Sequence, residues 1–235
     1  VYNYLELKEK FKIQNIKSSG DSEVLFKLLI DNGYKILNEI NGMWAFSFFD
    51  KINNKVILSR DRYGKKPLFF YHDNENFIAS SEIKTIFKII NKERKINPEH
   101  LSYFLLNKRW PNNLDNSTFY KDIKTIEAGE ILIFDIKKNT IHSKFLNQKS
   151  DNADLYDENI LSKNLNSAVN LRLRADVKIG ILISGGVDST LIAGIAALKE
   201  KNKKNITFYT VKDINDDYEY SKLLAKKLGI KLKEI

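Results

Sequence analysis

The sequence predicts two domains of different class: a layered α+β domain over residues 1–147 and an α/β parallel-sheet domain over residues 158–235. Three observations predict it. Short strands in the first half come in pairs around polar turns, which is the pattern of antiparallel hairpins. After residue 158, apolar strands alternate with helical patterns in the order β-α-β-α-β, which builds a doubly wound parallel sheet. Between them, the stretch 148–157 is polar and lacks periodicity, as a linker does.

In chain order, Val1-Tyr-Asn-Tyr-Leu-Glu-Leu-Lys8 runs straight into an amphipathic pattern. The segment Asp21 to Gly33 reads as a helix with an acidic cap and a terminal glycine. Strands at Trp44–Asp50 and Val56–Arg60 flank the turn Lys51-Ile-Asn-Asn-Lys55, and Pro67–Tyr71 pairs with Phe77–Ser80 around Asp73-Asn-Glu-Asn76. From Glu82 to Ile90, one helical face collects Ile83, Ile86, Phe87 and Ile90. Asn97-Pro98 starts a further helix, with cap and proline in the favoured places. Glu130–Ile136 and Thr140–Leu146 close the half as a hairpin over Asn139. The second half reads as helix 158–174, a buried strand from Val177 to Ile183 and a helix to about Lys199. It continues with a strand at Ile206–Val211, a helix from about Asp217 to Leu228, and a last strand from Ile230.

Composition narrows the function classes. Of the 235 residues, 43% are apolar, enough for sizeable cores. No apolar run reaches the roughly 18 residues of a membrane span, and no leader pattern opens the chain, so the expectation is a cytoplasmic protein without a membrane partner. There is no cysteine, which removes a disulfide scaffold, Cys-ligated zinc and any thiol nucleophile from these residues. The net charge of +9 rests mostly on scattered lysines, with only six arginines. Nucleic-acid readers concentrate arginine forks and stacking aromatics, so this reads as a solvated surface and not as a nucleic-acid partner's footprint. Val1 is not an initiator and Ile235 closes an uncapped apolar strand, so both ends read as cuts within a longer polypeptide.

The most informative motif is Ser184-Gly-Gly-Val-Asp-Ser189, between a strand and a helix N-terminus. Parallel sheets bind ligands at that place. Two glycines let the backbone approach phosphate closely, and the helix dipole favours the anion. Ser184, Ser189 and Thr190 can donate hydroxyls, while Asp188 would repel phosphate unless a magnesium ion bridged them. The motif is neither a Walker loop nor a G-x-G-x-x-G fingerprint.

This loop resembles the pyrophosphate loop of the N-type ATP pyrophosphatases. Its surroundings resemble one family among them, the glutamine-hydrolysing asparagine synthetases: Arg172-Leu-Arg-Ala-Asp-Val-Lys-Ile-Gly180, Thr207-Phe-Tyr-Thr210, and the helix from Asp216-Asp-Tyr-Glu-Tyr220 to Gly229. In the first half, Gly42-Met-Trp-Ala-Phe-Ser-Phe-Phe-Asp50, Arg60-Asp-Arg-Tyr-Gly-Lys-Lys-Pro-Leu68 and Ala79-Ser-Ser-Glu-Ile-Lys84 are similar to that family's class II glutaminase domain. The resemblance implies a partial Ntn-hydrolase-like αββα domain and a truncated adenine nucleotide α-hydrolase-like one. It also implies ATP and Mg²⁺, with glutamine and aspartate, or another carboxylate, as small-molecule substrates, and is compatible with a homodimer. By the same resemblance, Ser184, Gly185, Gly186, Val187, Asp188 and Ser189 would cradle ATP phosphates, with Asp188 holding the metal. Ile183 and Thr210 would contact adenosine through their backbone, although both also read as ordinary sheet core.

In the family, the glutaminase uses an N-terminal cysteine, an arginine and an Asn-Gly-Glu segment. Val1-Tyr-Asn-Tyr4 matches the residues just after that segment, so no catalytic residue is expected within this chain. Asp21 matches the carboxylate that binds the glutamine α-amino group, and it also reads as a plain helix cap. Arg60, Asp61 and Arg62 read as a structural ion pair at a strand end, and Trp110 as an aromatic cover in a loop. His72, His100 and His142 lack metal-ligand spacing. Two other functions stay open: the same fold acting on another carboxylate acceptor, and a non-catalytic nucleotide-binding relic.

Overall fold

The computed structural model describes residues 1–109, 116–147, 157–212 and 216–235. The expected linker at 148–157 and Trp110 fall almost entirely outside these residues. The chain divides into two compact units, 1–149 and 150–235.

In the first unit, helices α1 (Tyr4–Lys10) and α2 (Asp21–Asn32) are followed by a 3₁₀ stretch, Gly33–Glu39. Strands β1 (Ala45–Asp50), β2 (Lys55–Arg60), β3 (Phe69–His72) and β4 (Phe77–Ser80) come next. Helices α3 (Ile83–Ile90) and α4 (Pro98–Asn107) precede the short β5 (Lys124–Thr125), then β6 (Glu130–Asp135) and β7 (Thr140–Phe145). Strands β1-β2-β6-β7 make one antiparallel sheet and β4-β3-β5 another.

Strand alternation sets the layers. On the first sheet, Ile57, Ile131 and Ile133 face one way, into a core with Leu7 of α1 and Val24, Leu28 and Leu29 of α2. Their neighbours Leu58, Leu132 and Phe134 face the other way, against Phe70 of the second sheet with Leu68 and Ile126. Behind that sheet, Tyr71 packs with Ile86 and Phe87 of α3 and with Ile123. The order of layers is therefore helix, sheet, sheet, helix. The apolar face expected for α3 holds: Ile86 and Phe87 are buried, while Ile83 and Ile90 are partly buried against them.

Two features escape the local pattern. Gly33 closes α2 at φ +63° as expected, but the chain continues into the 3₁₀ stretch instead of a loop. At the other end of α2 the cap is Gly20, in extended conformation, and the helix begins at Asp21. The expected capping role of Asp21 is thus corrected. What anchors this terminus is Glu23, whose carboxylate accepts the amides of Lys17 and Ser18 at 3.0 and 2.7 Å. Those amide bonds hold its pKa below the usual glutamate value.

The second unit comprises α5 (Glu158–Arg172), β8 (Ile179–Leu182), α6 (Val187–Lys199), β9 (Ile206–Thr210), α7 (Asp216–Leu228) and β10 (Lys231–Glu234). The sheet is parallel, in the order β10-β9-β8. Because that order advances in one direction, right-handed crossovers place the connecting helices on one face. Val169, Ala193, Ala196, Ala197 and Ala225 of the helices pack there on Ile206 and Phe208 of β9. Among the described residues, nothing packs as a layer on the opposite face. Along β8, Ile179 and Ile181 are half-buried, whereas Gly180 and Leu182 are exposed. The expectation of a strand buried throughout is corrected: apart from Lys178, the residues from Val177 to Ile183 are apolar or glycine, but among the described residues only one face has a covering layer.

Candidate functional site

The first unit contains a cleft of about 320 Å³ whose lining includes Asp21, Leu25, Trp44, Phe46, Lys66 and Pro67. Asp21 comes from the first turn of α2, Trp44 from just before β1, Phe46 from the start of β1, and Lys66 and Pro67 from the turn after β2. The Asp21 carboxylate is part-exposed. It lines the cleft as an anion, the charge that attracts an ammonium group. The apolar walls reduce local solvation and strengthen such a contact.

The turn carrying Lys66 is built by Arg60 and Asp61. They do not form the ion pair with each other that their spacing suggests. The Arg60 guanidinium donates instead to the carbonyls of Lys66 (2.8 Å), Gly64 (2.7 Å) and Ile126 (2.7 Å). Burial pulls its pKa below the ordinary arginine value, with the charge on Asp61 opposing. Asp61 is fully buried. Its Oδ1 accepts the amides of Tyr63 (3.2 Å) and Lys65 (2.9 Å), and its Oδ2 those of Trp44 (3.3 Å) and Lys66 (3.0 Å). Gly64 sits at φ +60° with a Cβ position 3.1 Å from Arg60 Cζ, so a side chain there would be strained and would press on the Arg60 guanidinium. Arg62 donates to the carbonyls of Asn147 and Asn38.

In the second unit, the segment from Ser184 to Ser189 runs from the end of β8 into α6. Gly186 is the N-cap in extended conformation, and no side chain caps the helix. Among the described residues, no group accepts from the amides of Val187, Asp188 and Ser189, so these donors are available to a ligand. The two serines organise the loop: Ser184 N–H donates to Ser189 Oγ (3.2 Å), which donates to the Gly186 carbonyl (3.1 Å). Gly185 stands at φ +81°, and a Cβ there would lie 2.0 Å from the Asp217 carbonyl oxygen. The first turn of α7 is thus packed directly onto the loop. Asp188 is exposed in the first turn of α6, with no hydrogen-bond partner among the described residues.

Ile183 and Thr210 are both buried, so their side chains belong to the core. Ile183 N–H already donates to the Tyr209 carbonyl at 2.8 Å, and the Thr210 carbonyl accepts from Ile235 at 2.9 Å. The sheet therefore uses the Ile183 N–H and the Thr210 carbonyl.

Among the described residues, no three His, Cys, Asp or Glu side chains gather as a metal site. Asp188 alone suits a divalent ion only if phosphate oxygens complete the shell, and its exposed, unpartnered carboxylate fits that role. The histidines are apart: His72 meets Asn139 at 2.9 Å, and His100 is buried with Nε2 at 2.5 Å from Ser117 Oγ. No described helix is long and apolar enough to cross a membrane. A second cavity, of about 260 Å³, includes Glu130 in its lining. That carboxylate already accepts from Ser143 Oγ (2.6 Å) and the Glu127 amide (2.7 Å).

Sequence reasoning named Asp21 and the loop but missed Trp44 and Lys66 as cleft walls. Their signal was present in Arg60-Asp61 ahead of Gly64, a buried-charge turn that reads locally as an ion pair.

The helix-sheet-sheet-helix unit, with Asp21 and Lys66 in its cleft, and the parallel-sheet unit, with its uncapped glycine-rich loop, correspond to two family matches that define a two-module protein of the amidotransferase class. Residues 1–146 match the family of glutamine amidotransferase domains, and the chain belongs to that family. Residues 161–235 match the asparagine synthase family. A Methanocaldococcus jannaschii protein named as a glutamine-hydrolysing asparagine synthetase is 38% identical over 83% of this chain and 38% of its own length. The asparagine synthetase [glutamine-hydrolyzing] 2 of Bacillus subtilis is 30% identical over 98% of this chain and 32% of its own. The chain thus spans 32–38% of the length of these relatives. A solved glutamine phosphoribosylpyrophosphate amidotransferase from B. subtilis aligns along the whole chain at 16% identity with a TM-score of 0.43, too loose a likeness to carry an argument.

Proposed function

We propose that this chain is part of an ATP-dependent, glutamine-hydrolysing asparagine synthetase of the cytoplasm. The observation that carries the reading is the order of the two matches on one chain, 1–146 and 161–235, each with a fitting site inside it. The layering of the first unit supports an Ntn-hydrolase-like domain, and the β-α-β-α-β order of the second supports an adenine nucleotide α-hydrolase-like one.

The chemistry is set by the electrophile. A carboxylate resists attack by ammonia because its charge repels the nucleophile and oxide is a poor leaving group. The β-carboxylate of aspartate attacks the α-phosphorus of ATP, and the α–β phosphoanhydride bond breaks to release pyrophosphate. Ammonia, freed from glutamine by hydrolysis to glutamate, then attacks the acyl carbon and expels AMP. In the first unit, Asp21 binds the glutamine ammonium; with no cysteine among the 235 residues, this chain binds glutamine without supplying a thiol nucleophile. In the second, the amides of Val187, Asp188 and Ser189 and the Ser184 and Ser189 hydroxyls receive phosphate oxygens. Ile183 and Thr210, at the ends of their strands, border the adenosine. Asp188 would hold Mg²⁺, which supplies neutralisation of the phosphate charge.

The test is pyrophosphate release by the full-length gene product, given ATP, aspartate and either glutamine or ammonium. Asparagine forming in step with pyrophosphate supports the reading. Release only with a different carboxylate transfers the function to another acceptor, and no release with any acceptor overturns it.

A further inference from the structure

We infer that Asp61 is a positioning residue for glutamine: it fixes two walls of the cleft without touching the substrate. The inference rests on the reading that this cleft takes glutamine.

A fully buried carboxylate is expensive to desolvate, and a protein normally sets a cation against it. Asp61 is completely buried, yet its neighbour Arg60 turns to carbonyl oxygens instead. Four backbone amides replace the cation, and they belong to two separate segments. Trp44 leads into β1, and Tyr63, Lys65 and Lys66 form the turn after β2. One charge therefore ties together two of the backbone segments that line the cleft.

Each wall is held at more than one point. Trp44 donates its amide to Asp61 Oδ2, while its carbonyl accepts the Asp61 amide at 3.0 Å. Its indole Nε1–H donates to buried Ser59 at 3.0 Å. Lys66 donates its amide to Asp61 and offers its carbonyl to Arg60, so both its backbone polar groups are fixed. The Asp61 carbonyl accepts from Gly64 and Gly129, both at 2.9 Å, which secures the clamp to the start of β6. The turn is a rigid wall set by hydrogen bonds and not a closing lid. A charged acceptor is required because an amide in its place would present an NH₂ group to one pair of those N–H donors.

The experiment uses the full-length gene product with Asp61→Asn and Arg60→Lys, measuring synthesis with glutamine and, separately, with ammonium. The expected result for Asp61→Asn is a glutamine KM raised tenfold or more, with kcat and KM for ammonium within twofold of the unsubstituted protein. Arg60→Lys, which keeps the charge but loses the fork on the Lys66 and Gly64 carbonyls, should raise the glutamine KM severalfold. An unchanged glutamine KM in Asp61→Asn overturns the inference. An equal loss with both nitrogen sources also overturns it, because that marks general destabilisation. If Asp61→Asn does not fold, Arg60→Lys decides by the same criteria. If the unsubstituted protein uses ammonium but never glutamine, the reading of the cleft itself fails and takes the inference with it.

Discussion

The two candidate sites are built on opposite principles. The cleft of the first unit is shaped by hydrogen bonds that the protein makes with itself, around the buried Asp61 carboxylate and the Arg60 fork. The loop of the second unit leaves its helix amides uncapped and Asp188 exposed. The difference reflects the ligands each would take. A zwitterionic amino acid has weak, balanced charges and is best recognised by walls already in place. A polyphosphate carries enough charge to organise open donors itself, so prior pairing would only compete with it.

Four outcomes would break or sharpen this contrast. The largest effect is expected from Gly185→Ala. Its left-handed backbone alone costs a non-glycine residue about 1–2 kcal/mol, and the new Cβ would collide with the Asp217 carbonyl at 2.0 Å. A displacement near 1 Å at a reacting group can cost about 100-fold, so pyrophosphate release should fall at least that far with either nitrogen source. Near-normal turnover would show that the loop has slack and that α7 does not support it.

Asp188→Asn comes next. Losing the proposed metal ligand should remove several kcal/mol of charge stabilisation, or roughly 100-fold in pyrophosphate release. Because the side chain is exposed, the melting temperature should shift by no more than about 1–2 °C, as for other surface substitutions. Retained turnover with normal Mg²⁺ dependence would take the metal away from Asp188.

Asp21→Asn tests the cleft directly. A hydrogen bond to a charged group is worth about 1.5–3 kcal/mol, so the glutamine KM should rise roughly 10- to 100-fold while ammonium-driven synthesis is kept. Equal loss with both nitrogen sources would place Asp21 in folding instead of recognition.

The smallest effect concerns pH in the first unit alone. Burial lowers the pKa of His100 below its ordinary value of 6.5. The unfolded chain therefore binds the proton more readily, and stability falls as pH drops through about 6.5 towards the lower folded pKa. Urea unfolding at pH 7.5 and 5.5 should show the loss, and His100→Gln should flatten it. A first unit equally stable at both pH values in both proteins would remove His100 as its cause.

Much of the fold was legible because its signals are local. The Asn97-Pro98 start works as expected, with the Asn97 side chain accepting from the Glu99 amide at 3.2 Å. Gly33 and Gly229 close their helices at positive φ. The glycine-rich loop sits between strand and helix, with Gly185 in a left-handed backbone state that most residues disfavour. Other features were illegible for the complementary reason. Gly20 displaced Asp21 as the cap because Glu23 reaches back to Lys17 and Ser18, a contact that depends on where the preceding loop folds. Arg60 and Asp61 read as a pair because they are adjacent, but their partners lie up to 66 residues away.

By itself the sequence determined the order and type of most elements, the two-unit plan and the place of the glycine-rich loop between a strand and a helix. Periodicity, capping and backbone preference act within a few residues and need no knowledge of the rest of the chain. Only the tertiary structure decided which face of β8 is covered, which carboxylate faces the cleft and which is sealed beneath it. Those outcomes depend on which distant amides and apolar surfaces arrive beside a group, and burial then sets whether its charge binds a ligand or binds the fold together.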